Sequence, residues 1–266
     1  MKIEYQETTK DLLTRIAIHN QYGGRDIDQW MLEIVPLRKG MKILDVGCGA
    51  GKQCFSFFNA LGGDCEITGG DVSAELLGQA RAENQKTGGK INIIELDFNK
   101  RFPIEDEQFD LASCCFAIYY AEDIPHTIRE IHRVLKPGGQ LFTTGPMPQN
   151  KMLFYDIIRE ATNKTIPPMP GSSRYASAIL DTVRSTFSDV QVHVFENPLT
   201  FETVQPFLDY TGASLSEDRK LWGAFFQDKQ DFEKIMKQIA EVATRRLERD
   251  GKLVMTKIVG GFLATK

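Results

Sequence analysis

From Met41 to Thr144 the chain alternates short apolar runs with longer stretches of helical period. Lys42-Ile43-Leu44-Asp45-Val46 is a brief apolar run closed by glycines, which reads as a buried strand. Helical spacing follows from Gln53 to Leu61, and Glu66 to Asp71 is a second strand. Ser73 then caps a helix that runs through Lys86. Lys90 to Leu96, Phe109 to Phe116 and Gln140 to Thr144 supply three more strands. Before the last of them, Ile124 to Leu135 reads as a helix stopped by the turn Lys136-Pro137-Gly138-Gly139. Alternation of this kind predicts right-handed βαβ units, hence an α/β fold with a parallel sheet and helices on both faces.

The flanks are less regular. The first 25 residues are polar, with Leu12, Leu13, Ile16 and Ile18 at helical spacing, and end in a flexible break, Gln21-Tyr22-Gly23-Gly24-Arg25. A helix from about Asp26 to Pro36 puts Ile27, Trp30, Met31 and Ile34 on one face. After Gly145 an amphipathic helix spans Met152 to Asn163, and the prolines from Thr165 to Arg174 predict irregular chain. Residues 175–187 read as helical and Val190 to Phe195 as a strand. Most of 200–250 is helical, with Asp228 to Arg249 as one long charged amphipathic helix. Lys252 to Ala264 is a final strand in which Gly260-Gly261 marks a bulge. The last two strands are expected to pair antiparallel around the helical insertion. The expectation is a single domain, with a core of about 26–146 plus 188–199 and 251–266, and a helical cap from 1–25, 147–187 and 200–250.

Composition narrows the partners. Of 266 residues, 42% are hydrophobic and 26% charged, which is ordinary for a soluble globular chain. A net charge of −4 lacks the basic excess that neutralises phosphates, so no nucleic-acid partner is expected. The five cysteines (Cys48, Cys54, Cys65, Cys114, Cys115) show no CxxC spacing and read as buried reduced thiols, suited to the cytoplasm. The charged N-terminus does not read as a signal peptide, and the longest apolar run, near Ala112 to Ala121, is too short to span a bilayer. No membrane association is expected.

The chemistry concentrates in Asp45-Val46-Gly47-Cys48-Gly49-Ala50-Gly51. Its glycines allow a sharp turn and close approach of a ligand, and the next helix aims free N–H groups at it. This alone says nucleotide-like ligand. A dinucleotide fingerprint requires a sixth-position glycine, where Lys52 stands. A Walker loop requires glycine at Val46 and Ser or Thr at Gln53. What remains resembles the first motif of class I S-adenosylmethionine-dependent methyltransferases. Asp71 and Asp97-Phe98 at successive strand ends, Asp106-Glu107-Gln108-Phe109-Asp110 before the fourth strand, and Arg133 to Gly139 before the fifth extend that resemblance over about residues 40–145.

The resemblance implies a Rossmann-like doubly wound sheet, seven-stranded and mostly parallel with an antiparallel last strand, and S-adenosylmethionine as cofactor, with S-adenosylhomocysteine as product. It places Gly47, Cys48, Gly49 and Gly51 along the methionyl moiety, with Asp45 below holding loop backbone or a water. Gln53 would reach the carboxylate, Asp71 the ribose hydroxyls, and Asp97 the adenine amino group with Phe98 packing the ring. Val72 beside Asp71, Tyr22 on the N-terminal lid, and the backbone at Cys115 and Phe116 complete the set. Structural roles stand beside these: Asp71 as a helix cap, Asp97 as a turn residue before Asn99, Gln53 as a solvated helix residue. One departure from the family pattern is Gly69-Gly70 before Asp71, where an apolar residue is common.

A sulfonium already activates the methyl group, so such an enzyme mainly aligns the acceptor and excludes water, with no metal required. Tyr119, Tyr120, Tyr22, Arg25, Met147, Met152, Phe154, Tyr155, Phe207, Tyr210, Trp222, Phe225 and Phe226 suggest a small, partly apolar acceptor, or else a cap core. His19 and His126, with Tyr119 and Tyr120, are candidates for a catalytic base, whereas His132 and His193 read as structural. A non-catalytic binding protein of the same fold is the alternative. A macromolecule methyltransferase is disfavoured, because Cys-Phe-Ala-Ile follows the fourth strand where an Asn-Pro-Pro-Tyr-like motif would stand.

Overall fold

The structure, a computed structural model, describes residues 9–164, 170–217 and 228–266. One seven-stranded sheet has the order β3-β2-β1-β4-β5-β7-β6. The strands are β1 (Met41–Val46), β2 (Cys65–Asp71), β3 (Asn92–Glu95), β4 (Phe109–Cys115), β5 (Leu135–Pro146), β6 (Asp189–Phe201) and β7 (Leu253–Thr265). The first five pair in parallel, and β7 runs antiparallel between β5 and β6. This is the α/β arrangement expected from the alternation, in the doubly wound, Rossmann-like form that the resemblance implies.

Period-two packing explains why the strand runs are apolar throughout. Leu44 and Val46 of β1 face a core with Ala112, Cys114, Leu141 and the helix α5 (Ile124–Val134). Ile43 points the other way, into a core with Leu111, Phe142, the helix α2 (Ile27–Ile34) and the helix α3 (Lys52–Ala60). Residues on both sides of the strand are therefore withdrawn from water, as a parallel sheet covered by helices requires.

A third core lies elsewhere. The helices α1 (Thr9–Tyr22), α6 (Met152–Thr162), α9 (Gln205–Glu217) and α10 (Lys229–Asp250) pack on Leu199 and Phe201 of β6 and on Leu253 and Met255 of β7. These strand residues lie beyond the core sheet. β5 pairs with β7 only as far as Pro146↔Val259, whereas β6 and β7 pair on to Phe201↔Leu253. The two-stranded extension projects past the carboxyl ends of the parallel strands and carries the cap.

Several local expectations are corrected. The Lys136 to Gly139 turn lies within β5, as an irregularity between Phe109↔Leu135 and Leu111↔Gln140. Of the stretch expected to be irregular, residues 165–169 lie outside the described residues and Pro170–Arg174 is a helix, α7, because proline suits the first turn of a helix even where it forbids the interior. The helical stretch that follows, a π-turn at Tyr175–Ile179 and α8 (Leu180–Thr186), packs beside α5 on the sheet rather than in the cap. Gly260-Gly261 makes no bulge, since the β5–β7 register runs unbroken through both. A side chain at Gly260 would meet Met147 Sδ at 2.6 Å, and one at Gly261 would meet the Trp30 ring at 2.9 Å. Gly23-Gly24 is pinned rather than loose: Gly24 N–H donates to Asn197 Oδ1 at 2.9 Å, and Asn197 Nδ2 donates to the Arg25 carbonyl at 3.0 Å.

Tyr175 lies fully buried, stacked on Phe262 with centroids 4.4 Å apart, and its hydroxyl donates to the Thr143 carbonyl at 2.8 Å. The ring lies directly against Gly145, so a Cβ there would overlap it. Gly145→Ala is expected to destabilise the fold by roughly 1–3 kcal/mol through overpacking. A lowered urea midpoint checks this, and an unchanged midpoint contradicts the packing described.

Candidate functional site

The carboxyl end of β1 turns through Gly47, Gly49 and Gly51, all at positive φ (72°, 54° and 86°), where a side chain would be strained. Backbone bonds hold the turn against β2: Gly47 N–H and Cys48 N–H both donate to the Gly70 carbonyl, at 2.8 and 3.0 Å. A Cβ at Gly47 would lie 2.6 Å from Ala117 Cβ and 3.6 Å from Phe98 Cε1, so the exits of β3 and β4 close on the loop. Gly51 caps α3 without a side-chain hydrogen bond, which leaves first-turn N–H groups of α3 open to an electron-rich ligand. Gln53 stands in that turn and is buried, not solvated, and its amide Nε2 has no hydrogen-bond partner. A buried amide donor without an acceptor is expensive unless a ligand satisfies it.

Asp71 ties the site together. Its Oδ2 accepts from Gly49 N–H and its Oδ1 from Ser73 N–H, each at 2.9 Å. Ser73, not Asp71, is the cap of α4 (Ala74–Lys86), accepting from Leu76 N–H. One N–H on each oxygen leaves acceptor capacity on both. Val72 beside it is 59% exposed, an apolar side chain standing at the rim. The Gly69-Gly70 departure has a steric cause: a Cβ at Gly69 would meet Cys54 Sγ at 2.8 Å, and one at Gly70 would meet Leu96 Cβ at 2.6 Å.

Asp97 has the turn role as well, accepting from Asn99 N–H at 3.0 Å and pairing with Lys100 at 3.1 Å. Burial pushes its carboxyl up, but the Asn99 N–H and Lys100 outweigh that and hold it below the usual range. At the exit of β4, burial pushes the Cys115 thiol up, which keeps it protonated. The next residue, Phe116, has φ 56°, a left-handed conformation uncommon for an aromatic residue, and its N–H donates to the Thr144 carbonyl at 2.9 Å.

For Asp45 one of the two expected roles is corrected. Its carboxylate does not hold loop backbone but accepts from Ser113 Oγ at 2.6 Å and from Cys54 Sγ at 3.4 Å. It thus joins β1 to β4 and α3 underneath the loop. Burial raises its pKa from 3.8 to about 6 against the lowering by Ser113 and Cys54, and Asp71 raises it further.

The catalytic candidates lie on different elements, His19 on α1 and His126 on α5, with Tyr119 and Tyr120 in the turn after β4. His19 packs edge-on against Tyr210, with Nε2 3.4 Å from the hydroxyl. Burial first, then the charges of Lys257, Lys151 and Arg15, lower its pKa to about 2, so it is neutral and a weak base. His126 sits in the first turn of α5, its N–H held by Asp123 and its Nε2 buried without a partner. Tyr119 and Tyr120 lie ring against ring at 4.7 Å, with Tyr119 against Gly171. Tyr22 packs on Phe201 at 5.2 Å in the cap core, where Phe154, Phe207 and Tyr210 are also buried. Trp222, Phe225 and Phe226 lie outside the described residues. Ser113, Ala117 and Lys257 also stand at the site and carry no motif in the sequence; for Lys257 the signal is a lysine within the largely apolar stretch from Leu253 to Gly261.

The chain is similar to known proteins over its core and in its fold. A family model described as a methyltransferase domain matches residues 43–139. A demethylmenaquinone methyltransferase of Chlorobaculum tepidum is 31% identical over 61% of this chain and 70% of its own length. A malonyl-[acyl-carrier protein] O-methyltransferase of Enterobacter lignolyticus is 32% identical over 47% of each chain. The chain spans about half the length of most of the curated relatives it matches. Among solved structures, YcgJ of Bacillus subtilis superposes with a TM-score of 0.58 over 90% of this chain and 97% of its own, at 16% identity. The [4+2]-cyclase SpnF shares the fold over 98% of both chains, with a TM-score of 0.52 and 19% identity.

The raised carboxyl of Asp45 has a sign that can be tested. The folded state holds this proton more tightly than the unfolded chain, so its contribution is most favourable below about pH 4 and is lost as pH rises through about 6. Relative to Asp45→Asn, the wild type is expected to lose roughly 3 kcal/mol of stability between about pH 4 and pH 8. Urea unfolding of both proteins across that range checks it, and a pH-independent gap contradicts it.

Proposed function

Since this chain belongs to the class I S-adenosylmethionine-dependent methyltransferase family, we propose that it transfers a methyl group to a small, partly apolar acceptor. The observation that carries the reading is the convergence, at one edge of the sheet, of the glycine loop, the orphaned Gln53 amide and the Asp71 carboxylate. The residues present suit the cofactor on two independent grounds. The Gln53 donor lacks an acceptor such as a carboxylate, and each Asp71 oxygen accepts a single N–H and keeps acceptor capacity for hydroxyl groups.

When bound, S-adenosylmethionine supplies a methyl group on a positively charged sulfur. The chain's own residues bind and orient. Gly47, Cys48, Gly49 and Gly51 present backbone to the methionyl part, and Gln53 donates to its carboxylate. Asp71 accepts from the ribose hydroxyls, with Val72 alongside. Asp97 and Phe98 stand at the adenine end, and the backbone at Cys115 and Phe116 at the amino group. Asp45 acts through Ser113 and Cys54, as a positioning residue beneath the loop. Catalysis then consists of holding the acceptor in line and excluding water, with the cap over the carboxyl edge of the sheet as the wall. A small acceptor is supported by relatives whose names carry quinone substrates and by the absence of a basic excess.

Isothermal titration calorimetry tests the reading. S-adenosylmethionine is expected to bind one to one, and Gln53→Leu to weaken binding about tenfold, the loss of one hydrogen bond to a charged group. The same variant is expected to leave the cofactor-free protein as stable as the wild type or more so, because it removes an unsatisfied buried donor. Lack of any S-adenosylmethionine binding overturns the proposal. Binding without methyl transfer across broad acceptor panels moves the protein to another use of the same fold.

A further inference from the structure

Lys257 lies on β7 two residues beyond the last pairing with β5, on the extension that overhangs the glycine loop's edge of the sheet. Side chains alternate along the strand, so it shares a face with Met255, buried in the cap core, and Val259, buried in the sheet core. Its ammonium is 5.9 Å from the ring centre of Phe116, the strained residue at the β4 exit beside Ala117. On the cap side stand Lys151, whose ammonium is 5.5 Å from the ring centre of Tyr210, and the Tyr210–His19 pair. Among the described residues no carboxylate forms an ion pair with Lys257. Asp28, whose charge acts on it, is paired with Lys52 at 2.9 Å.

We propose that the acceptor carries an anionic oxygen group, carboxylate or phosphate, and that Lys257 with the His19–Tyr210 pair holds it; this rests on the reading of the cleft as a methyl-transfer site. A half-buried cation without a counter-charge carries part of the cost of desolvation, and an anion brought by the substrate offsets it in the bound state. Burial, then Lys52 and Lys151, bring the Lys257 pKa down to about 8, with Asp28 raising it and Arg15 lowering it, so the ammonium persists at neutral pH. His19 adds a second donor. Its Nδ1 is buried and has no partner, and it is the donor in the tautomer whose Nε2 accepts from the Tyr210 hydroxyl. The anion thereby fixes one end of the acceptor between Phe116 and the cap, and its other end is left toward the glycine loop.

Calorimetry with a matched pair of probes tests this in protein saturated with S-adenosylhomocysteine. Benzoate is expected to bind about tenfold or more tightly than benzamide, the neutral amide of the same shape. Lys257→Met is expected to abolish that preference, Lys257→Arg to keep most of it, and both to keep S-adenosylhomocysteine affinity within about twofold. Lys257→Met is also expected to unfold no earlier than the wild type, since it replaces a desolvated charge by an apolar chain of similar length. Inorganic phosphate and benzoate are each expected to raise the Lys257 pKa, read by NMR on 13C-methylated lysines in protein with or without S-adenosylhomocysteine. Equal binding of the two probes, a preference that survives Lys257→Met, or no anion that moves the Lys257 resonance overturns the proposal. Loss of S-adenosylhomocysteine binding alone counts against the methyltransferase reading, and the NMR arm in cofactor-free protein still decides the anion site.

Discussion

The hydrogen bond from Gly49 N–H to the Asp71 carboxylate is the constraint on which the site depends. It joins the turn after β1 to the end of β2, and two further N–H groups of the same turn reach the Gly70 carbonyl. Three positive-φ glycines let the chain follow that path, and the packing of Ala117 and Phe98 leaves no room for a side chain at the first of them. The loop is thus held before any ligand arrives, which is what preorganised binding requires. Beneath it, the buried Asp45 carboxylate cross-links β1, β4 and α3 through Ser113 and Cys54. A charged group in that position costs folding free energy, and it is tolerated where the loop must be rigid.

The second constraint is the length of β6 and β7. Because they outrun β5, they place the cap helices over the carboxyl edge of the sheet, where ligands bind in open α/β folds. The cap is anchored twice, by its own apolar core and by the Asn197 bonds that tie Gly24 and Arg25 to β6. One strand therefore serves the core sheet, the cap and the cleft wall: Val259, Met255 and Lys257 lie at alternate positions of β7.

What was legible in the sequence was whatever repeats locally. The alternation of strand and helix, the cap at Ser73, the long helix begun by Asp228 and the glycine loop each depend on residues close in the chain. What was not legible depends on partners far away. Gly260 and Gly261 are small because Met147, Tyr175 and Trp30 press on them, which no strand pattern reveals. Gly23-Gly24 looked flexible because Asn197 is so distant in sequence. The prolines before Arg174 concealed a short helix, since proline forbids a helix interior but suits its first turn. Of the seven described aromatic side chains considered for the acceptor pocket, five belong to the cap core, and apolar periodicity does not distinguish the two roles. Lys257 escaped notice because a single charge in a strand acquires meaning only when the strand is seen to overhang a site.

The central claim is that one ligand binds across the loop after β1 and the ends of β2 and β3. Hydrogen–deuterium exchange with and without S-adenosylhomocysteine tests it most directly, because backbone amides report binding without any acceptor. The account predicts added protection in peptides covering residues 45–55, 69–76 and 96–99, with the far end of the sheet unchanged. No protection in those peptides at saturating S-adenosylhomocysteine, or protection centred elsewhere on the chain, would contradict it.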